Sequence, residues 1–73
     1  MSKTVTAAYD SIDKANNALD ELISEGFIRE EVFLDKSNNQ VKVIVPDSVR
    51  RQAEDILRRH EPNDLWDRPF EPA

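Results

Sequence analysis

Two rhythms of apolar residues run through this chain. From Lys3 to Tyr9 they alternate, with Val5, Ala7 and Tyr9 on one side and Thr4, Thr6 and Ala8 on the other. That period of two predicts a half-buried strand. Asp10-Ser11 follows, a good helix N-cap. Then Ile12, Ala15, Leu19, Leu22 and Ile23 recur at steps of three and four, with one adjacent pair. This is the stripe of an amphipathic helix, whose solvated side holds Asp13, Asn16, Asn17, Asp20 and Ser24. Gly26, the only glycine in the chain, stands where this helix should end. A left-handed C-terminal residue suits glycine, and Phe27 can close the hydrophobic contact of a Schellman cap.

The alternation returns in FLDKSNNQVKVIV, Phe33 to Val45. Strands are expected at Glu31 to Asp35 and Gln40 to Val45, joined by the turn Lys36-Ser37-Asn38-Asn39. Val32, Leu34, Val41, Val43 and Val45 share one face of this hairpin, and Phe33 and Ile44 the other. Pro46-Asp47-Ser48 is expected to end the strand and cap a second helix, with Val49, Ala53, Ile56, Leu57 and His60 as its apolar stripe. Pro62 should stop that helix. After it comes NDLWDRPFEPA, with prolines at 62, 69 and 72, which limits regular structure to a short edge strand at Asp64 to Asp67. The expected organisation is a domain over residues 1–62, followed at 63–73 by that edge strand and a flexible C-terminal tail.

Strand, helix, strand, strand, helix and a short fourth strand form the split βαβ order of an α+β, ferredoxin-like fold. Both helices then lie on one face of an antiparallel sheet. The other face is open, so Phe33 and Ile44 need something to cover them.

Composition narrows the function classes. With 73 residues and no cysteine, no disulfide or thiolate metal site is available, and so small a core leaves little room for a deep catalytic cavity. No apolar run reaches the roughly 20 residues that span a bilayer, and MSKTVTAAYD lacks a signal-peptide apolar core, so a cytoplasmic protein is expected. The net charge is −5; Lys3 to Lys36 holds 4 basic and 8 acidic residues, the remainder 6 and 7. Neither part has the basic excess that drives phosphate binding, which argues against nucleic acid.

Two passages carry a resemblance. VTAAYDSIDKANNALDELISEGF and RRQAEDILRRHEPNDLW are similar to the opening strand–helix and closing helix–strand of small bacterial general-stress-protein-type domains. The chain departs from them at Pro62, where they tend to have glycine, and in a shorter hairpin. The resemblance implies a ferredoxin-like, non-enzymatic, stress-associated module, with no active site to carry over.

Individual residues point to contact rather than catalysis. His60, the only histidine, sits near a helix C-terminus, where a cation is favoured, and no Ser-His-Asp spacing recruits it. The carboxylates form no calcium-loop pattern, and a single glycine rules out a phosphate-cradling loop. Neither a metal nor another cofactor is expected. An amino-acid-sensing domain of this topology would have an Asp-x-x-Gly turn after its first strand; Asp10-Ser11-Ile12-Asp13 stands there instead. Arg50, Arg51, Arg58 and Arg59 are spaced to pair with Glu54 and Asp55 at i,i+4, which predicts a neutralised, solvated helix face. The expected contact residues are Phe33, Ile44 and Trp66. The open face would meet a protein partner or a second copy in a homodimer, or be covered by Trp66 or Phe70 folding back. The alternative is a nucleic-acid or small-ligand module using the same face, stacking bases on Phe33 beside Lys42.

Overall fold

The computed structural model describes residues 2–69 of the chain. Four strands, Ser2–Ala8 (β1), Val32–Asp35 (β2), Gln40–Pro46 (β3) and Asp64–Pro69 (β4), and two helices, Ile12–Ser24 (α1) and Arg50–Arg58 (α2), follow one another as β1-α1-β2-β3-α2-β4. All pairings are antiparallel and the sheet order is β2-β3-β1-β4. This is the expected α+β, ferredoxin-like arrangement.

Val5, Ala7, Val41, Val43 and Val45 on one sheet face close over Ala15, Ala18 and Leu22 of α1 and Ala53, Ile56 and Leu57 of α2. Both helices therefore share one side. Ser11 caps α1, accepting a 3.3 Å hydrogen bond from the Lys14 amide. At the other end the Gly26 amide donates to Ile23 and the Phe27 amide to Leu22, both at 3.1 Å, with Gly26 at φ +101°. These bonds form a Schellman motif, and Phe27 packs against the core beside it.

Several boundaries differ from expectation. Arg29–Glu31 forms a 3-10 turn, so β2 starts one residue late, at Val32. A second 3-10 turn at Asp47–Val49 leads into α2, and neither it nor the helix has a side-chain cap, contrary to the expected Asp47-Ser48 cap. The pattern of α2 ended the expected stripe at His60; the helix stops at Arg58, and Glu61 takes φ +58°, the left-handed step that turns the chain away. β4 is longer than the prolines suggested. It pairs with β1 from Asp64↔Ala8 to Pro69↔Lys3, which an edge strand permits because proline leaves no donor unpaired inside the sheet. The tail from 70 to 73, including Phe70, lies outside the described residues.

Candidate binding surface

The register across all four strands places one residue from each in a single row: Phe33 opposite Lys42, Lys42 opposite Thr6, and Thr6 opposite Trp66. Alternation assigns this row to the face away from the helices, because Val32, Leu34, Val41, Val43, Val5 and Ala7 face the core. Trp66 therefore belongs to the open face as part of β4 and does not fold back over it. Phe33, 49% exposed, is the most exposed large side chain of the row. The next row holds Ile44, Thr4 and Arg68. On the opposite flank lie Asp35, Gln40, Ala8 and Asp64.

Thr4, Thr6, Lys42, Trp66, Arg68 and Pro69 enclose a shallow notch of about 350 Å³. Although it lies on the open face, Thr6 is only 4% exposed, sunk between its taller neighbours. Lys42 and Arg68 make no salt bridge among the described residues, whereas Arg50, Arg58 and Arg59 all do. The two acids flanking the row are occupied locally. Asp35 accepts from the Ser37 amide at 3.1 Å and from Asn38 Nδ2 at 2.9 Å, and the Asn38 bond leads the effects that hold its carboxyl below the usual range. Asp64 accepts from the Leu65 amide at 2.9 Å.

Ile44 stands at the border of a second concavity. β2 begins opposite Val43, so Ile44, Val45 and Pro46 run on without a β2 partner. A groove of about 240 Å³ opens there against Gly26, Phe27, Ile28 and Val49, and Ile28 is 63% exposed at its rim.

The helical side carries charge in ordered pairs. Arg50 meets Glu54 at 2.8 Å and reaches across to Asp67 of β4 at 3.2 Å, with Glu54 the main reason its guanidinium is held above its ordinary value. Arg58 contacts Glu54 at 3.8 Å and Asp55 at 3.6 Å. Two expected i,i+4 pairs, Arg51–Asp55 and Asp55–Arg59, do not form; Arg59 turns to Glu21 of α1 instead. Glu54 is 9% exposed, so its position is a buried rim rather than the solvated face expected of it. His60 Nε2 lies 2.7 Å from Glu21 Oε1, tying the end of α2 to α1. That bond, ahead of the Arg59 contact, holds the Glu21 carboxyl below its usual range.

No three of the described His, Asp and Glu residues gather as metal ligands would, and no helix among those residues is long and apolar enough to cross a membrane. Comparison with known proteins returns no matching family model, no matching curated protein and no matching solved structure.

Arg68 escaped the sequence reading. The signal for it was present, since it lies two residues after Trp66 and shares its face once Asp64–Pro69 is one strand. The prolines had shortened that strand to Asp67 and hidden the relationship.

Proposed function

We propose that this protein is a non-enzymatic binding module whose open sheet face holds a segment of a partner protein. The observation that carries the reading is the four-strand row Phe33–Lys42–Thr6–Trp66, with Ile44 and Arg68 in the next row. It offers aromatic area at both edges and cationic groups between and beside them, while the opposite sheet face is spent on the core. Aromatic anchors ringed by polar groups are the usual make-up of a contact surface. A stress-associated role is supported by the resemblance of the Val5–Phe27 and Arg50–Trp66 passages to general-stress-protein-type domains, and a cytoplasmic setting by the lack of a membrane-length apolar run in the sequence.

Base stacking is less well supported. RNA-binding sheets of this topology place their aromatics on a compact platform, whereas Phe33 and Trp66 occupy the two edge strands, roughly 14 Å apart by strand spacing. Among the described residues only two cations, Lys42 and Arg68, stand on this face, in a chain with net charge −5. The notch between Lys42, Arg68 and Trp66 does favour one second reading, a small anionic ligand held there.

Selection from a random-peptide display library tests the module. Peptides enriched on the wild-type protein should lose binding to a Phe33→Ser/Ile44→Ser double variant that keeps its far-UV circular dichroism. Enriched peptides indifferent to both changes would remove the open face as the contact surface.

A further inference from the structure

We infer that the segment recognised is extended and acidic at its centre, with the pattern apolar-x-acid-x-apolar laid across the strands. This rests on the open face being the contact surface and specifies its occupant.

The spacing comes from the row itself. Phe33 and Trp66 sit on the two edge strands, three inter-strand steps of about 4.8 Å apart, so their Cα positions are separated by roughly 14 Å. An extended peptide advances about 3.3 to 3.4 Å per residue and points residues i, i+2 and i+4 to one side. Residues i and i+4 are then about 13 to 14 Å apart, matching the separation of the aromatics. Residue i+2 falls near the midpoint, between Lys42 and Thr6. A carboxylate there meets the Lys42 ammonium above the sunken Thr6, with Arg68 in the next row beside Trp66.

Charge selects the acid. The middle row contains one cation and no acid, and Lys42 and Arg68 have no salt bridge among the described residues. Asp35 and Asp64 flank the row on one side only and are engaged by their own turn and strand amides, with Asp35 feeling the Lys42 charge only as a minor further effect. A polyanion would meet these two acids and the net charge of −5. A single central carboxylate stands clear of both acids and meets less of that repulsion than a polyanion does. A second copy of this chain brings no acid in its own middle row to satisfy Lys42.

Trp66 is the only tryptophan, so its emission reports occupancy directly. The probe is a capped pentapeptide, Leu-Ser-Glu-Ser-Leu, titrated at low salt against the full chain, with three comparators: Leu-Ser-Gln-Ser-Leu, the shuffled Leu-Leu-Ser-Glu-Ser, and a mixed single-stranded oligonucleotide. The glutamate peptide should shift Trp66 emission saturably and bind about five- to tenfold more tightly than its glutamine twin, as a charge-assisted hydrogen bond allows. Lys42→Gln should abolish that preference, and Lys36→Gln, in the hairpin turn, should leave it intact; both are surface changes checked for fold by circular dichroism. Equal binding of the glutamate, glutamine and shuffled peptides, or no Trp66 response to any, overturns the pattern. Tighter binding of the oligonucleotide assigns the face to nucleic acid and overturns it too. Emission that changes with protein concentration alone and blocks the peptide gives the face to a second copy. If display-selected peptides still require Phe33 and Ile44 in any of the peptide failures, the contact surface survives and only its acidic pattern falls.

Discussion

The Tyr9 hydroxyl donates a 2.8 Å hydrogen bond to the carbonyl oxygen of Leu57, 48 positions along the chain. Tyr9 follows β1 and is 3% exposed; Leu57 lies in the last turn of α2, where carbonyls lack helical partners. The bond therefore fastens the second helix to the first strand and gives the Leu57 carbonyl a second donor beside the His60 amide. Burial also pushes the Tyr9 phenol well above its ordinary value, so it remains a donor throughout the neutral range.

Tyr9→Phe keeps the ring and removes the donor. The Leu57 carbonyl still accepts from the His60 amide at 3.3 Å, so it is not left bare. The expected loss is about 1 kcal/mol, read from urea unfolding at neutral pH, with an unchanged slope. A loss of several kcal/mol would mean that the bond organises more of the core than its geometry indicates.

Glu21 couples stability to acid. Its carboxyl is held below the ordinary value of 4.5 chiefly by the His60 bond, then by Arg59. The unfolded chain thus takes up a proton more readily at this site than the folded one. The contribution is complete above 4.5 and is lost as pH falls through the folded value. Thermal midpoints of the wild type should fall more steeply below pH 4.5 than those of Glu21→Gln, and the two curves should converge in acid. Parallel curves would deny the linkage.

Gly26 isolates a backbone cost. A Cβ at this position meets nothing within 4 Å, but φ is +101°. Gly26→Ala should therefore cost about 1 to 2 kcal/mol through conformation alone, and Gly26→Asn less, because asparagine tolerates positive φ. Denaturant midpoints of the two variants check the order; an alanine variant as stable as wild type would contradict it.

Glu61 presents the reverse case. It is exposed, makes no salt bridge among the described residues and holds φ +58° at the end of α2. Glu61→Gly should raise stability by up to about 1 kcal/mol, the left-handed penalty reduced by the flexibility that glycine adds to the unfolded chain. A lowered urea midpoint would show that the glutamate side chain does more at this corner than its surroundings suggest.

Much of this architecture was legible residue by residue. The alternation of Val41, Val43 and Val45 and the stripe of Ala15, Leu19 and Leu22 specify which sides face inward, because burial of apolar area is a local property of spacing. Gly26 announced its Schellman cap for the same reason: a positive φ selects its residue wherever it occurs. The open face could be read as far as Phe33 and Ile44 for lack of a second layer to cover them.

What needed the tertiary structure was everything set by pairing between distant segments. Register decided that Phe33, Lys42, Thr6 and Trp66 form one row, since two strands with equally good alternation can pair in more than one offset. Pairing with β1 carried β4 past its expected end to Pro69 and brought Arg68 to the open face, because an edge strand asks for donors on one side only. Helix packing sent Arg59 and His60 to Glu21 rather than along their own helix, since a partner on a neighbouring helix is invisible to i,i+4 counting. Local spacing alone determined the elements and their inward sides; long-range hydrogen bonding and packing decided which side chains meet on the surface left over.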